Sequence, residues 1–571
     1  MRTNKLLPAI LIFGFAAHGE EVKIAILATT DLHGNLLPYD YFMAQPAERG
    51  LAKIATLIEA ARAANPNNML IDCGDTIQGT PLEFVYQHYV QTGRLPLNLS
   101  FSGQPLVRDP MMTAMNMLGY DFMVVGNHEF NFGLKNLSDA RSQAKFPWIS
   151  ANILASPGAA VKPFAPYFVK VVAGVKIGIV GITTPLIPQW EPEDHYRGLR
   201  FEPAVESARR AVQELRAREQ PDVVIIAAHS GLDRDPRKDQ VATANSNDQS
   251  VYQMATEVPG IDAIIYGHSH EQMAGYSIGD VLLLQPKNWG ISLGEMDLTL
   301  SREGQASWRI ASKTSRVIPV TKAVAADSKV LEIAQPYHEL AERYLNSPVA
   351  ESPADLDTRL SRVEDTALID AIQKVQLFYT KADVSLASSF NVRVFVPKGP
   401  VTVREIAALY LYDNDLYVIE GNGKMVREAL ENAARYFLTC SGDCSQGPLT
   451  NRRVIGYDFD QAEGVDYEID VTRPVGDRIR NLRWHGQPLS DSQPLRIALN
   501  SHRAGGLAGY DMFRNAKILW RGPKEIRDMI IDYYTEHKEL PAQPLDNWRV
   551  IPDAALKTLR AEALGQGVTL Q

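Results

Sequence analysis

Cysteine is nearly absent from this chain, with three in 571 residues. Cys73, Cys440 and Cys444 form no CxxC pair, which excludes a thiolate-built zinc cluster. Cys73 lies in an apolar run and reads as a buried thiol. Cys440 and Cys444 bracket Ser-Gly-Asp, and this spacing suits either a small disulfide in an oxidising compartment or two free thiols on a loop. Positive charge is not in excess either: 58 Lys and Arg stand against 67 Asp and Glu, a formal net charge of -9. That balance excludes a broad face for a nucleic-acid polymer but leaves room for a local basic pocket around a small anion. Beyond the first residues, no apolar run reaches the roughly 20 residues needed to cross a bilayer. Internal repeats and low-complexity tracts are missing as well.

What is present is a globular composition, 45% hydrophobic and 22% charged. A chain of 571 residues is too long for one core, so two large domains are expected. Residues 1–19 place Arg2 and Lys5 before an apolar run from Leu6 to Ala17, then small residues at Ala17 and Gly19. This is a signal-peptide pattern, and no cysteine near the cut offers a lipid anchor. An exported protein, periplasmic or secreted and off the membrane after cleavage, is expected.

From residue 22 to 320, short apolar runs (VKIAILATT, NNMLIDCGD, YDFMVVGNHE, VKIGIVGITT, PDVVIIAAHS, IDAIIYGHSH) alternate with helix-like stretches such as LAKIATLIEAARAAN. Such alternation predicts α/β layering, and sites in such sheets form outside the strands' carboxyl ends. Residues 321–358 read as a linker helix, interrupted by Pro336, and a stiff Ser-Pro connector. Residues 359–552 mix helix and strand, an α+β pattern, closed by a helix in PKEIRDMIIDYYTEHK with Pro523 in its first turn. Residues 553–571 form a tail with weak packing signals.

Five strand ends in the first half deliver polar side chains: Asp31-Leu32-His33, Gly74-Asp75, Gly126-Asn127-His128-Glu129, His229-Ser230-Gly231 and His268-Ser269-His270. In extended backbone, residues two apart point the same way, so Asp31 with His33, and His268 with His270, are expected to converge. A lone strand-end histidine is more often a structural hydrogen-bonding residue. Five such ends in one half favour a site. Asp31, His33, Asp75, Asn127, His229, His268 and His270 make a carboxylate, amide and imidazole set suited to Mn, Zn, Fe or Co. Seven ligands exceed one ion, whereas two ions about 3.5–4 Å apart sharing a carboxylate accommodate them. Glu129 is expected to be structural. Ser230 lacks nucleophile-elbow spacing, and Gly505, Gly506 and Gly509 lack the βαβ context of a dinucleotide site.

The ordered motifs TTDLHGN, CGDTIQGTPL, VGNHEFN, AHSG and GHSH resemble those of the calcineurin-like metallophosphoesterases, and specifically their 5′-nucleotidase family. The resemblance covers nearly the whole mature chain. It implies a four-layer αββα metal domain followed by a C-terminal α+β 5′-nucleotidase-type domain. It also implies that Asp31, His33, Asp75 and His270 hold one divalent ion, and that Asp75 bridges to a second held by Asn127, His229 and His268. His128 would be the catalytic residue over the phosphoryl group. Family members that are 5′-nucleotidases usually read GNHEFD, and here Asn131 takes the aspartate's place. GNHEFN and the YDYF ending of TTDLHGNLLPYDYF resemble the 2′,3′-cyclic-nucleotide 2′-phosphodiesterase/3′-nucleotidase branch.

In the second half, Asn391 and Arg393 lie in SFNVR, which resembles a loop reaching the phosphate. Tyr412 and Asn414 lie in YLYDN and Tyr510 in a Gly-rich loop, which resemble the segments bringing two base-stacking rings. Tyr410 competes with Tyr412, and Arg362 is a weak match to a family arginine. The expected activity is hydrolysis of 2′,3′-cyclic nucleotides to 3′-nucleotides and then to nucleoside and phosphate, by a monomer. Rival readings are a 5′-nucleotidase or UDP-sugar hydrolase, a dimanganese sulfur-oxidation thiohydrolase, and a catalytically silent binding protein.

Overall fold

A computed structural model describes residues 20–100, 106–159, 161–235, 237, 240–241, 248–304, 306–412 and 414–565. The signal-peptide expectation for residues 1–19 lies outside them. Among the described residues, no helix is long and apolar enough to cross a membrane.

The apolar runs of the first half become two six-stranded sheets laid face to face. One runs in the order Arg309–Pro319, Ser292–Arg302, Glu20–Thr29, Asn68–Asp72, Phe122–Val124, Trp148–Ile149. The other runs Met273–Ile278, Val281–Gln285, Ala263–Tyr266, Val223–His229, Val175–Thr183, Tyr167–Val172. The inner strands are parallel and the antiparallel pairs lie toward the edges. Strand alternation sorts the side chains. Ile24, Ile26, Ala28, Val223, Ile225 and Ala227 fill the space between the sheets. Val224, Ile226 and Ala228 face Ala204–Glu219 and Val251–Glu257 on the outside. A buried Ile or Val contributes about 1.5–3 kcal/mol, and these positions are fully buried. On the other flank lie Leu51–Ala64, Pro81–Thr92, Pro110–Leu118 and Gly133–Gln143. Thr80 and Asp109 cap two of these, with proline at the first helical position. The result is the expected αββα stack.

The linker helix runs Ser328–Leu345 straight through Pro336, capped by Asp327, and packs on three helices of the first unit. The predicted stiff connector is instead the strand Pro348–Ser352, paired with Gly399–Thr402. Proline is tolerated there because it opens a short two-stranded ribbon.

Beyond it, a five-stranded mixed sheet (Asp460–Glu463, Val384–Ser388, Pro494–Asn500, Asp415–Asn422, Ile518–Glu525) and a four-stranded sheet are covered by helices, the expected α+β unit. Two sequence expectations are corrected. The closing helix begins at Ile526, because the backbone through 523 completes the strand Ile518–Glu525. The tail is also not loose through Gly565: Asp553–Gly565 is helical and buries Ala555 and Leu559. One pair of buried positions is too faint a period to read from sequence. Cys440 and Cys444 form a disulfide.

Candidate active site

The seven candidate ligands converge at the carboxyl rim of the two sheets, but not by the extended-backbone route. The first strand ends at Thr29, and Asp31 (φ 49°) and His33 (φ 46°) lie beyond it in left-handed backbone. Asp75 (φ 60°), His268 (φ 73°) and His270 (φ 54°) do the same. Non-glycine residues rarely accept this conformation, and its cost persists where surrounding structure fixes it, typically at sites. Glycines let the strand ends approach. A Cβ on Gly126 would collide with Asp75, one on Gly267 with Thr30 and Asp31, and one on Gly74 would sit 2.7 Å from the Gly126 amide.

Three overlapping donor groups result, and Asp75 belongs to two of them. Asp31, His33 and His270 form one, with His33 Nε2 3.0 Å from His270 Nε2 and His270 Nε2 3.5 Å from Asp31. Asp75, His229 and His268 form a second, with Asn127 beside them, and His33, Asp75 and His128 form a third that joins these two. His33 Nε2 lies 3.8 Å from Asp75 Oδ2, which is also 3.0 Å from His229 Nε2. Asp75 therefore stands between the clusters.

Hydrogen bonds outside the clusters decide which ring nitrogens face inward. His229 donates Nδ1–H to the Cys73 carbonyl (2.8 Å), and His268 donates Nε2–H to Asp248 (2.8 Å). Their other nitrogens, His229 Nε2 and His268 Nδ1, meet at 3.2 Å, and His229 Nε2 also lies 3.0 Å from Asn127 Oδ1. With the rings neutral, lone pairs point at lone pairs around Asp75 Oδ2, a donor set that a shared cation satisfies. Without one, burial presses the His229 imidazole down, but Asp75 outweighs burial and raises it to about 10. His33 Nδ1 is likewise turned outward to the Gln78 carbonyl at 3.1 Å. Burial holds the imidazoles of His33 and His270 down, to about 4 and about 3, so both are neutral ligands at neutral pH. Burial pushes the Asp75 carboxyl up, but His229 and then His128 more than offset it and hold it well below the usual range. The residues present fit a pair of divalent ions.

His128 belongs to the joining group, its Nε2 4.0 Å from Asp75 Oδ2 and its side chain one-quarter exposed. Its Nδ1 donates to Asn131 Oδ1 at 2.6 Å. Glu129 is structural, as expected: its carboxylate accepts from the amides of Asp75, Thr76 and Gly126, clamping two ligand loops together. Sequence reasoning missed Asp248, whose polar surroundings in NSNDQS give no periodic signal, and Glu191, which accepts from Asn131 Nδ2 at 2.7 Å.

On the second unit, Tyr412 is 41% exposed and packs edge-on against Phe390 and Tyr457. Tyr410 is buried, which resolves the competition between the two. Asn391 is buried and committed to its own loop, donating to the Ala408 carbonyl and accepting from the Arg393 amide. Arg393 and Asn414 are half-buried. Arg362 donates twice to the Ser389 carbonyl, a structural use. Tyr510 is corrected. It is fully buried, stacked on Phe513 with Arg503 across it and its hydroxyl donating to the Asp458 carbonyl, so neither face is open to a base. The Gly-rich loop turns the ring inward, and Tyr457 is the half-exposed ring beside Tyr412. His502, in the next turn, is pushed down to about 4 by burial and then Arg503, with Asp248 pulling the other way. The second unit thus faces the metal cluster.

Residues 24–272 match the calcineurin-like phosphoesterase family, and residues 346–515 match the 5′-nucleotidase C-terminal domain. A 2′,3′-cyclic-nucleotide 2′-phosphodiesterase/3′-nucleotidase of Salmonella typhimurium is 30% identical over 603 residues, covering 93% of this chain and 89% of that protein. The trifunctional nucleotide phosphoesterase protein YfkN of Bacillus subtilis is 29% identical over 615 residues, or 96% of this chain, which spans 41% of that protein's length. A crystal structure of a putative 5′-nucleotidase from Staphylococcus aureus superposes over 93% of this chain and 100% of its own, with TM-score 0.73 at 24% identity, a likeness of fold.

Proposed function

The chain belongs to the 5′-nucleotidase family of calcineurin-like metallophosphoesterases, metal-dependent phosphoric ester hydrolases, and from that footing we propose that it hydrolyses 2′,3′-cyclic nucleotides to 3′-nucleotides and these to nucleoside and phosphate. The observation that carries the hydrolytic part is the set of overlapping donor groups around Asp75, with His128 in one of them. Support for the branch is the near full-length similarity to the Salmonella protein of that name, together with Asn131 after GNHEF.

Asp31, His33, Asp75 and His270 hold one divalent ion, and Asp75, Asn127, His229 and His268 hold the other. When bound, such a pair supplies Lewis acidity toward phosphoryl oxygens and activates water for in-line displacement. Asp248 and the Cys73 carbonyl fix the rings of His268 and His229, so the inward nitrogens are set before substrate arrives. His128 places Nε2 beside the reacting phosphoryl group, where it stabilises developing charge or gives a proton to the leaving alkoxide. Tyr412 stacks on the base with Tyr457 in place of Tyr510, a contact worth about 1–3 kcal/mol that tolerates any base. The labour divides between residues 22–320 and 359–552, joined by 321–358. Action as a monomer is part of this proposal. Export to the periplasm or medium accords with the Cys440–Cys444 disulfide.

A substrate panel tests this reading. Manganese-loaded protein is expected to show its highest kcat/KM with 2′,3′-cyclic AMP and then 3′-AMP, with 5′-AMP well below. A preference for 5′-AMP or a UDP-sugar would replace it with the 5′-nucleotidase reading.

A further inference from the structure

At Nδ1, His128 meets the Asn131 amide, and a buried carboxylate stands one residue further out. His128 Nδ1 donates to Asn131 Oδ1 (2.6 Å), Asn131 Nδ2 donates to Glu191 Oε1 (2.7 Å), and His195 Nδ1 donates to Glu191 Oε2 (2.8 Å). Glu191 is 5% exposed. The order of this chain of bonds is dictated by chemistry. An ionised carboxylate only accepts, so Glu191 must receive the Asn131 amide NH₂, which leaves Asn131 only its oxygen to offer His128. The oxygen in turn requires a proton on His128 Nδ1, which turns Nε2 to the cluster. Were Glu191 absent, the amide could flip and present its NH₂ to the imidazole instead, reversing the ring's proton.

The segment bearing Glu191 is held from the second unit. Tyr417 donates its hydroxyl to the Gln189 carbonyl (2.8 Å), and Arg521 reaches the Pro188 and Glu191 carbonyls. The segment 187–195 therefore links the second unit to His128.

We propose that Glu191 is a positioning residue for His128: acting through Asn131, it fixes the orientation of the amide and so the Nδ1–H tautomer of the imidazole. The proposal rests on His128 acting at the phosphoryl group.

A reciprocal swap tests it. Glu191→Ala and Asn131→Asp are each expected to lower kcat about tenfold to a hundredfold, with KM changed much less and with metal content and melting temperature unchanged. Asn131→Asp fails because it sets two carboxylates in contact where an amide met one. The double variant Asn131→Asp/Glu191→Gln restores a donor to an acceptor and is expected to recover most of the wild-type kcat. Bis(p-nitrophenyl) phosphate and 2′,3′-cyclic AMP serve as probes. Wild-type kcat in Glu191→Ala, or a double variant no better than Asn131→Asp, overturns the inference. His128→Ala separates the two levels. If it is inactive while the Glu191 variants behave as wild type, only this inference fails. If it is fully active, the reading of His128 itself fails.

Discussion

Asp75 and His128 lie 4.0 Å apart yet differ in kind. Asp75 is fully buried and belongs to two of the three donor groups, whereas His128 is one-quarter exposed, belongs to one group and is held at Nδ1 by Asn131. Substituting each should separate binding from chemistry. Asp75→Ala is expected to lose both ions on dialysis, read by metal analysis, because Asp75 stands between His33 of one proposed ion's ligands and His229 of the other's. His128→Ala should retain two ions per chain and lose kcat by about 10²–10⁴-fold, the usual worth of a positioned acid–base group. A His128→Ala protein that also came out of dialysis metal-free would make His128 a ligand. At this scale the sequence was legible wherever a polar residue followed an apolar strand. It was silent on Asp248 and Glu191, because each acts by contact with a residue far along the chain and neither breaks a periodic pattern. Tyr510 misled for the opposite reason: its Gly-rich motif drew the eye, but a motif does not say which way a ring turns.

The strands were plain from their apolar runs, and the alternation of Ile24, Ile26 and Ala28 against Leu27 shows why: two faces, two cores. What the runs could not convey is how a strand ends. Extended geometry implied that Asp31 and His33 point together, but the chain leaves the strand at Thr29 and reaches the same convergence through left-handed turns. Short ribbons such as Pro348–Ser352 with Gly399–Thr402 were illegible for a related reason, since few residues and a proline carry little strand signal. The turn geometry makes Gly126 a demanding position, because a methyl group there collides with Asp75. Gly126→Ala is expected to cost about 1–3 kcal/mol of stability, as overpacking does, and to weaken metal affinity through the displaced carboxylate. Denaturant melts with and without Mn²⁺ measure both. A variant with wild-type stability and metal affinity would show that the loop yields freely.

Across the whole molecule, buried acids set the pH response. Asp370's carboxyl is pushed up to about 8 by burial and then by Asp365, and Glu463's to about 7 by burial and then by Asp365. In the unfolded chain such groups ionise near 4, so between roughly pH 4 and 8 the folded protein binds protons that the unfolded chain has released. Their contribution is therefore complete below about pH 4 and is lost as the pH rises through 7 to 8. Asp370→Asn cannot ionise and can still accept from the Leu545 amide, a bond Asp370 makes at 2.8 Å. It should melt at the wild-type temperature at pH 5 and a few degrees above it at pH 9. Equal melting at both values would mean that Asp370 ionises normally. The metal rim adds a different dependence. Asp31, His33, Asp75 and Asn127 project from one sheet of the sandwich, and His229, His268 and His270 from the other. Ions held there are clasps across the seam of the sandwich, fastening one rim, while the opposite rim is tied by polar contacts such as Lys170 to Asp121 and Lys313 to the Asp262 carbonyl. Chelation should therefore loosen the molecule lopsidedly: amide hydrogen exchange is expected to quicken around residues 72–76, 125–131, 229–231 and 267–270, and to stay slow at the far ends of the same strands. Uniform quickening along those strands would mean that the rim carries no special share of the fastening.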